Sequence, residues 1–442
     1  MSGAVGTLRS RIGLGGGKRS ARAKSRPVEY SLLLTATMCL VAFGVVMVFS
    51  ASSSASLLGE SGDGAFYLKR TLMFGAFGLI ALKLLSIWGL QNLRRITPAI
   101  LFGAIALLIV TKLIGTSANG AQRWIEMGPV QIQASEVAKV ALILYGASLL
   151  AERPRMTRDL RSMSPFLLIV GAVIALVVLE PDLGTAMVSA FAAAALLVAA
   201  GAKIRHLALI AGALLLVVVI AVLIEPYRMA RLTSFISPTA DSSGAGFQGM
   251  QASIALGSGG IFGVGLGESV QKAFYLPEAH TDMIAAVIGE ELGLLGIAVL
   301  VGLYMLLGYA GFRTAQKARD RYGRLLAAGL TAMILIQASI NLFAVLGLAP
   351  LTGVTLPFVS YGNSSLIVTL AAVGLLLNVA NGGSAGAATR SRGATGLRLL
   401  PGGRAAAAPR KRSGGARAAS GDRSRRHGGA RRAGDSRSRR AR

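Results

Sequence analysis

The stretch LPEAHTDMIAAVIGEELGLLG, Leu276 to Gly296, decides the class of protein. It opens an apolar helix, yet it carries Asp282 at its mouth and Glu290 and Glu291 in its body. Ionisable groups in so apolar a segment are costly, and they face a cavity or a partner rather than lipid. The surroundings are as apolar as the stretch itself. The chain has 442 residues, 53% of them hydrophobic, with a mean hydropathy of +0.61. A soluble globule of this size is excluded, and the chain belongs to the membrane class.

Ten apolar runs approach the ~20 residues that span a bilayer core: 31–49, 68–88, 97–114, 135–151, 164–180, 185–201, 206–224, 281–309, 324–348 and 364–380. The expected fold is an all-α polytopic membrane protein of ten transmembrane helices. The eighth run is the longest and is expected to tilt or project. Alternate short connections hold Arg94 and Arg95, then Arg153, Arg155, Arg158 and Arg161, then Lys203 and Arg205, then Arg313 to Arg324. The positive-inside rule makes these cytoplasmic, together with both termini. The opposite face then carries four longer connections. The largest, 225–280 between spans seven and eight, is read as a flexible or re-entrant loop.

The formal charge of +27 is concentrated in the tails. Residues 1–29 hold seven Lys/Arg against one acid, and residues 381–442 hold seventeen against two. Both read as disordered and cytoplasmic, flanking a membrane domain at 30–380. Adhesion to the anionic inner leaflet is the plainer role for them, and docking on an acidic cytoplasmic partner the alternative. The Arg-rich tail lacks aromatic interleaving, which argues against nucleic acid. The one cysteine, Cys39, sits in the first apolar run and reads as a small hydrophobe. No cleavable signal is evident. Gly15–Gly17 before Lys18 lacks the Ser or Thr of a phosphate loop, and GSGGIFGVGLGES at 257–269 does not fit a dinucleotide fingerprint, so no nucleotide cofactor is expected.

Polar groups collect at the outer ends of the spans. Arg123 and Trp124 precede span four; Glu136 and Lys139 share one face of its first turns; Glu180 and Asp182 flank Pro181; Asp282 opens span eight; Ser360, Tyr361, Asn363, Ser364 and Ser365 lead into span ten. Together they suit a polar site near the outer surface. Each also has a plainer reading. Glu136–Lys139 can be a structural ion pair, Asp182 a cap on span six, SYGNSS a capped turn, and Asp282 a complement to a helix dipole. His280 beside Asp282 gives two ligands, too few for a protein metal site. Arg123, Arg228, Arg231 and Lys272 remain on a face otherwise poor in base, and an anionic ligand in the outer leaflet, such as a lipid phosphate, would account for them.

Seven segments carry a family resemblance: VFSASS at 48–53, NGAQRWI at 119–125, QASEVAKV at 133–140, EPDLGT at 180–185, GIFGVGLGES at 260–269, YLPEAHTDMIAAVIGEELG at 275–293 and PLTGVTLPFVSYGNSS at 350–365. In this order they resemble the SEDS (shape, elongation, division and sporulation) peptidoglycan polymerases, and PEAHTD resembles the division branch more than the elongation branch. Asn363 stands where the family usually has glycine. The resemblance implies a glycosyltransferase that polymerises lipid II, an undecaprenyl-pyrophosphate-linked disaccharide-pentapeptide, at the outer face of the cytoplasmic membrane during septal wall synthesis. It maps the essential aspartate onto Asp282, the span-four acid and base onto Glu136 and Lys139, and the loop arginine onto Arg123. The expected chemistry has Asp282 as general base in an inverting transfer. Arg123 and Lys139 hold the pyrophosphate, Glu136 orients Lys139, and Glu180, Asp182, Ser360, Ser364 and Ser365 complete the substrate site. A divalent cation, Mg2+ or Mn2+, is expected near Asp282 with no protein ligand set assigned. A class B penicillin-binding transpeptidase and other divisome proteins are the implied partners. A lipid II flippase and a non-catalytic division scaffold are the rival readings.

Overall fold

In lipid a chain must satisfy its own backbone, so apolar runs of this length fold as helices. The computed structural model describes residues 27–58, 62–118, 121–127, 130–224, 226–237, 246–273 and 275–382. In chain order these form α1 (Val28–Leu58), α2 (Phe66–Ile87), α3 (Leu90–Ile114), β1 (Thr116–Ala118), β2 (Ala121–Met127), β3 (Val130–Gln133), α4 (Ala134–Glu152), α5 (Leu160–Leu179), α6 (Leu183–Ala200) and α7 (Ile204–Ile224). Then come α8 (Pro226–Ile236), α9 (Phe247–Gly259), α10 (Ile284–Lys317), α11 (Arg321–Val345) and α12 (Asn363–Ala380). Ten of these helices are long and apolar enough to cross a membrane, as the sequence led us to expect.

Three details depart from the sequence reading. The 115–134 connection folds as a three-stranded antiparallel sheet in the order β1-β2-β3, so the chain is not purely helical. The 225–280 connection is partly helical, through α8 and α9. Finally, α1 begins inside the stretch assigned to the basic arm, and its Glu29 bonds Lys317 at the far end of α10. The remainder of that arm, 1–26, and the tail from 383 lie outside the described residues.

The inner helices are α4, α11 and α12, whereas α7 buries His206 and Ala221 and leaves most of its other side chains exposed, as suits a helix facing lipid. Small residues allow close approach where the inner helices meet. A side chain on Gly311 would strike Thr331, and one on Gly329 would strike Ile143.

α10 is broken at Gly293, whose φ of 64° and ψ of −160° leave the helical region. The loop after α9 fills the break. Val264 and Gly265 donate to the carbonyls of Glu290 and Glu291, and the amides of Leu294 and Leu295 donate to the carbonyls of Gly260 and Ile261. These are the groups that a break at Gly293 takes out of the helical ladder, and within a bilayer they need partners. The glutamates of GEELG fix the same loop from their side chains. Glu290 accepts from Ser269 Oγ at 2.5 Å and Val270 N at 3.0 Å, and Glu291 pairs with Lys272 at 2.8 Å and accepts from Ser50. The expected re-entrant loop is therefore a docked segment, and the GEELG carboxylates hold it.

Candidate functional site

Residues 350–362 cross the loop-rich end of the bundle as a strap with little regular structure. Extended backbone buried there needs each carbonyl satisfied from outside. Four side chains from three helices do this. Arg231 of α8 donates to Leu351 O at 2.9 Å, Asn341 of α11 to Val354 O at 2.7 Å, Gln337 of α11 to Thr355 O at 3.0 Å, and Tyr304 of α10 to Pro357 O at 2.5 Å.

Asp282 lies against this strap. It precedes α10 in the turn that leads into the helix, and Met283 is the capping position. Its main-chain carbonyl accepts from Asn341 Nδ2 at 2.8 Å. Gly353, whose φ of 71° favours glycine, brings the strap to Asp282: a Cβ there would lie 3.9 Å from Asp282 Oδ2, an ordinary contact. The Thr281 hydroxyl stands 2.7 Å from Glu278 Oε2 and 3.3 Å from Asp282 Oδ1, and one proton cannot serve both carboxylates. Burial, then the charge of Glu278, pushes the Asp282 carboxyl up to about 6, against the opposing pull of Arg231. Beside it, His280 packs against Tyr67 and Tyr361, and burial lowers its basicity.

Lys139 and Glu136 are buried one turn apart on α4, 2.7 Å from each other. The ammonium's second partner is Gln337 Oε1 at 2.5 Å. Glu136 keeps its other oxygen without a partner among the described residues. The pair therefore points into the interior, where Gln337 joins it to the strap.

Asp182 caps α6 by accepting from Thr185 N at 3.1 Å, as the plainer reading had it, and it also receives Gln133 Nε2 and Ser135 Oγ at 2.9 Å each. The three serines are ties. Ser364 accepts from Gln133 N at 3.0 Å and donates to Gln131 O at 2.5 Å, pinning α12 to β3. Ser360 accepts from Leu356 N at 2.8 Å, and Ser365 from Thr355 Oγ1 at 3.2 Å. Asn363 is the first residue of α12 and does not adopt the left-handed backbone, so the position does not demand glycine.

Three cations converge on the end of α5. Arg228 Nη2 donates to Val178 O at 3.1 Å, Lys112 to Leu179 O at 2.9 Å, and Arg123 to Glu180 O at 3.3 Å and to Pro181 O. Cations suit the negative end of a helix dipole. The Glu180 carboxyl is buried in their midst with no hydrogen-bond partner among the described residues. Burial, then the Asp182 charge, pushes it up to about 8. Arg123 and Arg228, with Arg231, also line a cavity of about 830 Å3 whose remaining wall is mostly apolar, from α6, α7, α8, α11 and the start of the strap. A second apolar cavity of about 450 Å3 shares Leu183, Met187, Phe191 and Val218 with it and continues between α5, α6 and α7. Among the described residues no group of three His, Cys, Asp or Glu could hold a metal ion.

Gln337, Asn341, Lys112 and Tyr304 were missed by the sequence reading. For the two amides the signal was there: polar residues four apart in an apolar span lie on one helix face. Nothing local in the sequence marks the partners of Lys112 and Tyr304.

A ten-span helical membrane protein, with carboxylates, amides and arginines gathered round a strap at one end, is what fold and site define. A family model described as "Cell cycle protein", covering FtsW, RodA and SpoVE, matches residues 30–384. A Geobacter protein, "Probable peptidoglycan glycosyltransferase FtsW", is 39% identical over 82% of this chain and 97% of its own. "Stage V sporulation protein E" of Bacillus subtilis is 40% identical over 79% and 96%. Among solved structures, Thermus thermophilus rod shape determining protein RodA is 30% identical with a TM-score of 0.59, covering 79% of this chain and 95% of that one. A chain from a peptidoglycan synthase complex that coordinates polymerization and crosslinking is 31% identical with a TM-score of 0.66, covering 79% and 96%. The chain belongs to the FtsW/RodA/SpoVE family.

Proposed function

We propose that this protein is a peptidoglycan glycosyltransferase that polymerises lipid II into glycan strands at the outer face of the cytoplasmic membrane, for septal wall synthesis in cell division. The observation that carries the reading is the 830 Å3 cavity, apolar in its walls and edged by Arg123, Arg228 and Arg231. That combination suits a polyprenyl chain carrying a pyrophosphate: apolar surface for the chain, guanidinium groups for the phosphates. Its relatives named as peptidoglycan glycosyltransferases supply the reaction class. The arginine-rich connections at the opposite end of the bundle orient the cavity outward.

The reaction needs an acceptor hydroxyl made nucleophilic and a leaving pyrophosphate neutralised. Asp282 takes the proton from the sugar 4-hydroxyl as that oxygen attacks the anomeric carbon of the donor. The bond from that carbon to the pyrophosphate oxygen breaks, and attack from the opposite face turns an α-linked donor into a β-linked strand. The three arginines neutralise the departing charge. Lys139, directed at Gln337, acts on the strap, and Glu136 orients it. Asp182, Ser360, Ser364 and Ser365 hold the frame. A divalent cation, Mg2+ or Mn2+, would arrive on the substrate's phosphate oxygens, since Mg2+ commonly binds through substrate phosphates with few protein ligands. A class B penicillin-binding transpeptidase is the partner that would crosslink the product, and the synthase complex among the structural relatives supports one.

Lipid II incubated with the purified protein and this partner tests the reading. Glycan polymer from the wild type, lost in Asp282→Asn, is the expected result. Transbilayer movement of lipid II without polymer would replace it with a flippase. Neither polymer nor movement would leave a scaffold.

A further inference from the structure

α11 carries two amides where an apolar helix would carry leucines, and both are almost fully buried. A buried amide without partners is costly, so their bonds are informative. Asn341 spends its two N–H groups on two different segments, Asp282 O at 2.8 Å and Val354 O at 2.7 Å. One turn earlier, Gln337 donates to Thr355 O at 3.0 Å and accepts from Lys139 at 2.5 Å. The two amides thus grip neighbouring residues of the strap; Asn341 also holds the main-chain carbonyl of Asp282, and Gln337 the ammonium of Lys139. A connected run leads from Glu136 through Lys139, Gln337, the strap and Asn341 to Asp282.

From this we infer that Asn341 and Gln337 are positioning residues for glycosyl transfer, setting Asp282 and Lys139 in register against adjacent carbonyls of the 350–362 strap. The inference rests on Asp282 being the base of the proposed polymerase. If the amides served the strap alone, one donor each would suffice. Asn341 places its second N–H on the main-chain carbonyl of Asp282, which fixes the residue that bears the carboxyl, and Gln337 places its oxygen on Lys139. Displacing a reacting group by about 1 Å lowers turnover about 100-fold. Substrate binding at the arginine-edged cavity should be spared, because neither amide contributes to that lining.

The molecule contains its own control. Asn378 of α12 is a buried amide that also spans two carbonyls, those of Leu85 and Trp88, where α2 ends. Asn378→Leu removes the same bonds away from Asp282. The test is polymerisation of lipid II by the full chain with its transpeptidase partner, normalised to folded protein. In Asn341→Leu, kcat should fall about 100-fold with KM within about twofold of wild type. Asn378→Leu should lower the melting temperature yet hold kcat within about twofold, and Asn341→Ser, with one donor left, should fall between. Should Asn341→Leu not fold, Asn341→Ser against Asn378→Leu decides alone. Wild-type kcat in Asn341→Leu or Asn341→Ser, or an equal loss in Asn378→Leu, overturns the inference. Absence of polymer from the wild type would instead sink the polymerase reading on which it rests.

Discussion

Lys272 Nζ lies 2.8 Å from Glu291 Oε1, and the two side chains are 7% and 0% exposed. This pair fastens the loop after α9 into the break of α10. Removing one partner leaves a buried charge uncompensated, which costs ~3–5 kcal/mol, whereas replacing both with apolar groups is often neutral. Glu291→Ala should therefore lower the melting temperature in detergent more than the double variant Lys272→Met, Glu291→Leu. Equal losses in the two would mean that the ion pair contributes through packing alone.

Gly293 sets the break itself. Its φ of 64° is strained for any other residue, and an added Cβ would lie 2.4 Å from Gly263 N and 2.5 Å from Ile261 O. Both contacts are backbone, so neither can swing aside. Gly293→Ala should expel the 259–272 loop, raising hydrogen exchange at Val264 and Gly265 by orders of magnitude while α4 and α12 stay protected. Unchanged protection at those two amides would show that the loop tolerates the side chain.

The ten spans were legible because a bilayer imposes one length and one composition, and the GEELG carboxylates stood out by their cost. Tertiary pairings were not legible. Glu180 and Asp182 look alike in EPD, but only Asp182 finds donors, from Thr185, Gln133 and Ser135, while Glu180 finds none among the described residues. That difference depends on where β3 delivers Gln133, and the sheet itself escaped detection because strands of three to seven residues leave little pattern. Lys139 was expected at the phosphates, since it sits at the right depth. Its direction is set by Gln337, a residue 198 positions away.

The Asp282 carboxyl is raised to about 6, first by burial and then by Glu278. A general base works ionised, so polymerisation should rise with pH and reach half its plateau near 6. Glu278→Gln removes the second cause and should move that midpoint toward more acid pH without lowering the plateau severalfold. Asp282→Asn should lose activity at every pH. An acid limb that stays at the same pH in Glu278→Gln would assign the titration to another group.

Glu180 offers a pH effect on stability of determinate sign. Its ordinary value is 4.5, and burial followed by the Asp182 charge lifts it to about 8 in the folded chain. Between these values the native state holds a proton that the unfolded state has released. Stability must therefore fall as pH rises across that window, and the loss levels off above about 8. Glu180→Gln keeps the shape and cannot ionise, so it should match the wild type in melting temperature near pH 4.5 and exceed it increasingly toward pH 8. Lys112 and Arg123 pull the other way, so Lys112→Met should widen the gap between wild type and Glu180→Gln measured in the same background. Melting curves of the four proteins in detergent at pH 5, 6.5 and 8 provide the measurement, and a difference that does not grow with pH would mean that Glu180 is ionised in the fold.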